Sequence, residues 1–208
     1  MKIAIFGATG STGKELVKQA LEQRYEITIL VRNPQKISFD SDGLNIVKGD
    51  VLNKDDVSKT VRGNNAVIVA LGVKPPSKTK LVGPGTKNII EAMKAQNVKR
   101  IVIESAGFMD DAVRKDNFLI SILTKTFMRG LYADKLVQES TVRDSGLEWV
   151  IVRPVGLTNG RKTRTYRFGE NLKLKRLLPM ISRANVADFM LKQLRSDDNL
   201  YKAMLIAN

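Results

Sequence analysis

Short apolar runs alternate with segments of helical periodicity along most of the chain. Runs that are apolar at nearly every position predict buried strands at Lys2–Phe6, Glu26–Val31, Asn45–Val47, Ala66–Leu71, Arg100–Ile103, Glu148–Val152 and Ala203–Ile206. Apolar residues at helical spacing predict helices at Lys14–Gln23, Asp55–Arg62, Gly85–Gln96, Leu131–Asp144 and Asn185–Arg195. Strands that alternate with helices build βαβ units, so the pattern predicts an α/β fold with a doubly wound, mostly parallel sheet and helices on both faces.

Three segments end elements of this alternation or do not follow it. Gly146 closes the helix before the sixth strand in the manner of a left-handed cap, and Pro154 is expected to stop that strand. Prolines predict a loop at Lys74–Lys80. The apolar segment Asp116–Met128 fits either a lid over a substrate or a helix packed on the body, and we favour the packed helix.

The length of 208 residues suits one domain, which we expect to span residues 1–208. No apolar run approaches the ~20 residues that cross a bilayer, so we expect no membrane partner. The first strand begins at once, without the charged region of a signal peptide, and there is no Cys, so we expect a cytoplasmic protein. A monomer and a homodimer are both compatible with the sequence.

The chain contains neither Cys nor His. Thiolate metal sites, disulfides and cysteine nucleophiles are therefore excluded, and the commonest general base and metal ligand is missing. We expect no metal site. Any catalysis must rest on Ser, Tyr, Lys, Asp, Glu or a cofactor.

A formal net charge of +14 favours anionic partners. Between Arg153 and Arg183 nine basic residues accompany a single acid, Glu170. This stretch is either a solvated basic loop or an anion-binding segment. Because it has no groove-reading motif and no row of aromatic residues for stacking, we expect no specific nucleic-acid binding.

A glycine-rich turn, GATGSTG, joins the first strand to the first helix. A dinucleotide pyrophosphate needs a tight turn without obstructing side chains, backbone N–H donors and the positive end of a helix dipole, and this context supplies all three. The residues predicted to bind it are Gly7, Thr9, Gly10, Ser11, Thr12 and Gly13.

The residue at the end of the second strand distinguishes the two dinucleotides. An acid there would bind the ribose hydroxyls of NAD, whereas a cation would meet the 2′-phosphate of NADP. The residue is Arg32, and no acid follows before Asp40. We therefore expect a preference for NADP(H), with NAD(H) possible; the alternative is that Arg32 is simply a surface residue.

With these residues placed, the chain resembles the atypical short-chain dehydrogenases, which include NmrA-like and NAD(P)H-binding members, and especially their biliverdin reductase B and flavin reductase branch. The segments that carry the resemblance are KIAIFGATGSTG, ITILVRN, GDVLNKDDVSKTV, AVIVALG, NIIEAMKAQNVKRIV, SGLEWVIVRP and ISRANVADFML. It covers most of the chain and fails at 106–129 and 157–180. It implies a Rossmann fold and a substrate site formed by 105–132 and 154–183.

The resemblance also implies roles for residues that follow strands. Asp50 and Val51 would hold the adenine, and Ser105 would lie near the nicotinamide and the substrate. The other residues implied to line the dinucleotide are Leu71, Gly72, Val73, Pro154 and Val155. The competing interpretation is that these are core or strand-end residues, with Ser105 capping a strand.

Tyr132 and Lys135 resemble the catalytic pair of short-chain dehydrogenases, in which the lysine lowers the tyrosine pKa for proton transfer. The usual spacing is Y-x-x-x-K, and here it is one residue shorter. Counted back from Gly146, Lys135 matches the family lysine, which also contacts the cofactor, and Tyr132 is displaced. Tyr132 is therefore either a proton donor or a packing residue. Histidines of biliverdin reductase B are replaced by Lys135 and Gly156, which disfavours biliverdin as substrate.

Two functions follow from these observations. The first is an NADPH-dependent oxidoreductase that transfers hydride to a small conjugated acceptor such as a flavin or quinone, with Ser105, Tyr132 and Lys135 as catalytic residues. The second is a non-catalytic NADP-binding redox sensor, NmrA-like, that acts through a protein partner. Epimerase or dehydratase chemistry stays open.

Overall fold

The computed structural model describes residues 1–39, 41–73, 80–174 and 178–208, without the side chain of Asp116. Most of the loop predicted at Lys74–Lys80 lies outside these ranges, as do Asp40 and, within the basic stretch, Lys175 and Arg176. In the described part no helix is long and apolar enough to cross a membrane.

A large, mostly parallel sheet forms the centre of the molecule. Its strands and two further short ones are β1 (Lys2–Phe6), β2 (Glu26–Val31), β3 (Leu44–Lys48), β4 (Ala66–Val69), β5 (Arg100–Glu104), β6 (Glu148–Pro154), β7 (Gly156–Thr158), β8 (Arg167–Gly169), β9 (Met180–Ser182) and β10 (Lys202–Ala207). Within the described ranges, eight strands lie in the order β3-β2-β1-β4-β5-β6-β10-β8. Among the described strands of this sheet, only β8, beside β10, is antiparallel to its neighbour, whereas β7 and β9 pair separately. The predicted α/β class is confirmed.

Helices cover both faces of the sheet. They are α1 (Ser11–Glu22), α2 (Lys54–Val61), α3 (Val82–Ala95), α4 (Asp111–Asp116), α5 (Phe118–Lys125), α6 (Arg129–Arg143) and α7 (Arg183–Lys192). Successive residues of a strand point to opposite faces, so Ile3 packs in the core with α1 and α7, while Ala4 packs in the core with α2 and α3. This arrangement is the doubly wound Rossmann fold.

The structure corrects the sequence predictions in details of the second half. β7, β8 and β9 were not predicted, because three residues each are too few to show a period. Pro154 does not stop the sixth strand but belongs to it, paired with Ile206. Gly146 has the predicted left-handed conformation, with a φ of 70°.

The segment Asp116–Met128 contains a helix that packs on the body only through one side, at Ile120 and Thr124, so the favoured prediction is confirmed only in part. Asn117 has an extended backbone, and its side chain caps α5 by accepting a hydrogen bond from the Ile120 amide. This cap separates α4 from α5. Much of the apolar surface of α5 is exposed, with Phe118 76% accessible to solvent.

Candidate functional site

The strand order reverses between β1 and β4, where two adjacent parallel strands send their chains to opposite sides. Ligands of open α/β sheets bind at such a point, beyond the carboxyl ends of the strands. Gly7 follows β1 there with a φ of 90°, and a Cβ on it would lie 2.3 Å from the carbonyl oxygen of Ala70. A Cβ on Gly13 would lie 2.0 Å from the Gly7 carbonyl oxygen, so both positions require glycine.

The helix that follows this turn presents its amino end to the site. Gly10 is the N-cap of α1, and it has no side chain that could satisfy the first amides of the helix. Unsatisfied N–H groups and the positive end of the helix dipole attract an anion. The turn therefore has the shape and the charge that fit a pyrophosphate.

A cavity of about 200 Å³, which we name the glycine-turn cavity, lies over this turn. Predicted site residues that line it are Gly7, Thr9, Gly10, Arg32, Asp50, Val51, Leu71 and Gly72. The structure thus brings together the pyrophosphate turn and the residues assigned to the adenosine half. That a dinucleotide binds in this cavity stays a prediction.

Arg32 and Asp50 lie at the end of this cavity remote from the centre of the sheet. Arg32 is exposed, and it has no carboxylate partner within the described ranges. Asp50 accepts a hydrogen bond from the Leu52 amide at 2.9 Å through Oδ1. Its other oxygen, Oδ2, has no hydrogen-bond partner among the described residues, which leaves an acceptor for an amino group.

Of the residues predicted to bind the dinucleotide, eight do not line the glycine-turn cavity: Ser105, Lys135, Pro154 and Val155, which are described below, and four others. Ser11 is exposed at the first position of α1, and Gly13 is buried against the turn. Val73 is half-buried at the end of a described range. Thr12 points inward, where its hydroxyl donates to Oε1 of Glu104 at 2.9 Å. Thr12 is therefore positioned to fix the start of α1 against β5, not to contact a phosphate through its hydroxyl.

A second cavity of about 420 Å³ lies beyond the carboxyl ends of β5 and β6, and we name it the apolar cavity. Its walls come from both segments predicted to form a substrate site, among them Ile120, Leu123, Val155 and Leu157. Pro154 and Ser105 also line it. Since β4 and β5 are neighbours about 4.8 Å apart, the two cavities lie side by side along one edge of the sheet.

Two polar side chains of the apolar cavity's described lining stand out against this wall, Ser105 and Arg183. The Arg183 guanidinium donates to Oδ1 of Asn159 at 2.7 Å and is half-buried, so it retains further N–H donors. In the sequence, nothing distinguishes Arg183 from the rest of the basic stretch. The structure makes it the cation of this cavity.

Ser105 belongs to a buried network that the sequence did not predict. Its hydroxyl donates to Oε1 of Glu139 at 2.6 Å, and Arg153 donates to both oxygens of that carboxylate, at 3.0 and 2.6 Å. Asp110 lies 3.4 Å from the far side of the same guanidinium. Burial opposes ionisation of Glu139, but the bonds from Arg153 and Ser105 outweigh it and hold its pKa below the ordinary value.

Lys135 is buried, and its ammonium group donates to three protein acceptors. These are the carbonyl oxygens of Leu71 and Glu104, at 3.1 and 2.7 Å, and Oε1 of Gln138 at 3.0 Å. Burial lowers the pKa of Lys135 to about 8 despite nearby carboxylates. With three donors and three acceptors, Lys135 ties the ends of β4 and β5 to α6.

Glu104 is a second buried glutamate near the two cavities. Burial raises its pKa above the ordinary value, although Lys135 and the Thr12 hydroxyl act in the opposite direction. Glu104 and Glu139 therefore have opposite pKa shifts. Desolvation dominates at Glu104, and a paired arginine dominates at Glu139.

Tyr132 lines neither cavity. Its ring lies 6.5 Å from the ring of Phe108 and 5.2 Å beneath the guanidinium carbon of Arg114. Spacing explains this placement, because three residues instead of four before Lys135 rotate the side chain around α6. The geometry favours the packing interpretation of Tyr132.

A carboxylate on α6 satisfies the amino end of α3. Asp134 accepts hydrogen bonds from the amides of Leu81 and Val82 through Oδ2, at 3.0 and 2.8 Å, and from Gly83 through Oδ1 at 2.8 Å. The N-cap residue itself, Leu81, has no side chain that could make these bonds. α3 is therefore capped from a neighbouring helix.

Sequence reasoning assigned no role to several polar residues of this region, among them Glu139, Arg183 and Glu104. Glu139 lies four residues from both Lys135 and Arg143, and that spacing is typical of an exposed helical face. Glu104 could have been noticed as a charged residue at the end of an otherwise apolar strand. No local pattern distinguishes Arg183 from the other basic residues around it.

Comparison with known proteins identifies the chain's relatives. The model of the NAD(P)H-binding family matches residues 7–197. A chloroplastic protein of Arabidopsis thaliana is 32% identical over 171 residues, which are 78% of this chain and 61% of that protein. A photosystem II assembly factor of Cyanophora paradoxa is 27% identical over 164 residues, which are 77% of this chain and 47% of that protein. The chain thus spans about half to three fifths of these relatives.

A solved structure shows the same fold. It is a short-chain dehydrogenase/reductase of Veillonella parvula in complex with NADP, with a TM-score of 0.80 and 18% identity. The match covers 100% of this chain and 94% of that one.

Proposed function

The chain belongs to the NAD(P)H-binding family, and from that premise we propose that it is an NADPH-dependent reductase of a small, flat, conjugated acceptor of the quinone or flavin class. The observation that carries the proposal is the pair of adjacent cavities. One has a glycine turn, a helix amino end and an exposed cation, Arg32, and the other has apolar walls with a single guanidinium, Arg183, among its described residues.

The glycine-turn cavity fits the cofactor. The amides at the start of α1 would hold the pyrophosphate, Asp50 the adenine amino group, and Arg32 the 2′-phosphate that distinguishes NADPH from NADH. Lys135 would act indirectly, by fixing the strand ends on which the nicotinamide half rests. When bound, a reduced nicotinamide supplies hydride.

The apolar cavity fits a planar acceptor that becomes negatively charged as it gains hydride. Arg183 would stabilise the developing charge on an acceptor oxygen, because a preoriented cation in an apolar wall acts with little screening. The Ser105 hydroxyl proton is directed at Glu139, so Ser105 offers lone pairs to the cavity. It would therefore accept a hydrogen bond from an O–H or N–H group of the reduced product, whose proton comes from solvent.

The test is steady-state oxidation of NADPH, followed at its absorbance band, with FMN, FAD and a water-soluble benzoquinone as acceptors. We expect turnover that falls at least about tenfold in Arg183→Gln, through kcat, because a charged interaction of the transition state is lost. The control is Arg161→Gln, an exposed cation of the same basic stretch. No NADPH oxidation with any of these acceptors would refute a reductase.

The placement of Tyr132 favours one further candidate, a non-catalytic NADP-binding protein that acts through a protein partner. Tyr132 lines neither cavity, and Lys135 has no N–H to spare, so the proton-transfer pair of dehydrogenases is not assembled. The similarity to a photosystem II assembly factor also supports such a role. Calorimetric binding of NADPH without turnover of any acceptor would favour this candidate.

A further inference from the structure

Exposed apolar side chains stand on both rims of the apolar cavity. On one rim, α5 and the turn after it carry Phe118, Leu119, Ile122, Leu123 and Phe127, which are 43 to 76% accessible. On the other rim, Leu178 is 65% accessible and Met180 is 42% accessible. Leu123, Leu178 and Met180 also line the cavity, so its entrance lies between these two apolar rims.

The exposed apolar residues of α5 occupy one side of the helix. Phe118, Leu119, Ile122 and Leu123 span an arc of about 140°, since each residue advances ~100° around an α-helix. Ile120, on the other side, lines the cavity, and Thr124 beside it is buried. α5 is therefore apolar on the side that faces solvent as well as on the side that faces the protein. Single exposed leucines are ordinary in soluble proteins, but a clustered apolar face marks an interaction site.

Cations border this face. Lys115, Lys125 and Arg129 are exposed, and none of them has a carboxylate partner among the described side chains. The carboxylate of Asp111 is already paired with Arg114. The whole chain carries a net charge of +14.

We propose that α5 and the 178–180 rim dock the protein on an anionic lipid surface. An apolar helical face with basic residues at its border lies in the membrane interface, with its apolar side chains about 5–10 Å deep and its cations at the headgroups. A second copy of this chain would fit less well, because cations would face cations. The expectation of no membrane partner rested on the absence of a spanning run, and an interfacial helix needs none.

This docking selects among the acceptors, a step that rests on the proposed reductase. The entrance of the apolar cavity would face the lipid, and an acceptor dissolved in the lipid would enter the cavity between the two apolar rims without passing through water. The substrate class is then a quinone with a long hydrocarbon tail, reduced by two electrons and two protons to its hydroquinone. The hydride comes from NADPH and the second proton from solvent.

Docking is tested without cofactor or turnover, by flotation of the full chain with vesicles. We expect binding to vesicles that contain equimolar phosphatidylglycerol and phosphatidylcholine, and little binding to phosphatidylcholine alone. Phe118→Ser with Leu119→Ser should weaken binding at least about tenfold, because two exposed apolar side chains no longer enter the interface. Both side chains are largely exposed in the folded chain, so the fold should tolerate the change, which circular dichroism would verify.

Matched controls distinguish the contribution of this face to vesicle binding from the effects of overall charge and of exposed apolar surface elsewhere. Lys125→Glu with Arg129→Glu should weaken binding, whereas Lys18→Glu with Lys94→Glu, the same charge change on α1 and α3, should leave most of it. Leu136→Ser removes an apolar side chain that is 51% exposed on α6 and should have little effect. Equal losses for all variants, or no vesicle binding, would overturn the proposal. A dimer in light scattering that the α5 variant disrupts, without vesicle binding, would overturn it in favour of a second copy.

Turnover then distinguishes this inference from the proposed function. We expect the α5 double variant to reduce a water-soluble quinone at the normal rate and a long-tailed quinone in anionic vesicles at least about tenfold more slowly. Equal rates with the vesicle-borne quinone would refute the inference and leave the reductase intact. Vesicle binding without turnover of either quinone would refute the reductase and leave the docking surface intact.

Discussion

Replacing Glu139 by Gln removes the charge at the centre of the buried network and keeps the shape of the side chain. In the native protein one oxygen of Glu139 accepts from Ser105 and from Nε of Arg153, and the other accepts from Nη2 of Arg153 at 2.6 Å. Gln supplies one acceptor oxygen and, in place of the second oxygen, an NH2 group that only donates. Its amide N–H groups would then face the guanidinium, donor against donor.

The expected loss of stability follows from this geometry. The Glu139 side chain is only 5% exposed and that of Arg153 only 14%, so the pair is buried. Removing one partner of a buried ion pair costs about 3–5 kcal/mol, and the retained oxygen recovers part of it. We expect about 3 kcal/mol less free energy of unfolding at neutral pH, or roughly 6–12 °C in Tm for a chain of this length.

The assay is urea unfolding followed by the fluorescence of Trp149, the single tryptophan of the chain, which is buried on β6. The control is Glu91→Gln, which also removes a glutamate paired with a lysine, Lys54 at 2.7 Å, but on the surface. A surface pair contributes under about 1 kcal/mol. If Glu139→Gln cost no more than this control, the buried network would not stabilise the fold.

The pH dependence gives a second check with a defined sign. Because the folded pKa of Glu139 lies below its ordinary value, its stabilisation is complete above the unfolded pKa of about 4.3 and is lost as pH falls through the folded pKa. The difference between the native protein and Glu139→Gln should therefore be constant near neutral pH and shrink in acid. A difference that grew in acid would contradict the assigned pKa direction.

Three further predictions concern the cofactor site and the second buried glutamate. Arg32→Ala should weaken NADPH binding about 10- to 100-fold in calorimetry and leave NADH binding nearly unchanged, since only the 2′-phosphate loses its cation. Equal losses of affinity for both dinucleotides would show that Arg32 does not contact the 2′-phosphate. Gly13→Ala should abolish binding of both dinucleotides, because the new Cβ meets the Gly7 carbonyl at 2.0 Å; retained binding would show that the turn adapts. Glu104→Gln should raise the free energy of unfolding at neutral pH, with the gain fading as pH falls below about 4, because the raised pKa of Glu104 penalises the folded state as pH rises; a loss of stability in urea unfolding at neutral pH would refute the assigned direction.

The sequence predicted the parts of the site that depend on local backbone rules. The turn from Gly7 to Gly13 could be predicted because its two end positions accept only glycine, and the strands β1, β2 and β4 around it could be predicted because most of their positions are apolar and covered on both faces of the sheet. Ser105, placed by family resemblance, does line the apolar cavity. Its role in the reaction stays a prediction.

The remaining parts depend on contacts between distant segments. Glu139 and Arg153 meet across 14 residues, and neither differs in pattern from a solvated helix or loop residue. β7 and β9 exist because residues 156–158 and 180–182 pair with each other, not because of their own periodicity. The exposure of α5 could not be predicted either, because a buried helix would show the same run of apolar residues in the sequence.

The cap that Asp134 places on α3 makes the site directional. α1 and α3 follow β1 and β4, the strands on either side of the reversal, and either amino end could attract a phosphate. Asp134 accepts from the amide of the N-cap Leu81 and from the first two amides of α3 and adds a negative charge there, whereas the amino end of α1 behind Gly10 has no side-chain cap. An anionic group that reaches this edge of the sheet is thus attracted by one helix and repelled at the other, so the fold fixes where the charge of a ligand is placed before any base or ring is recognised.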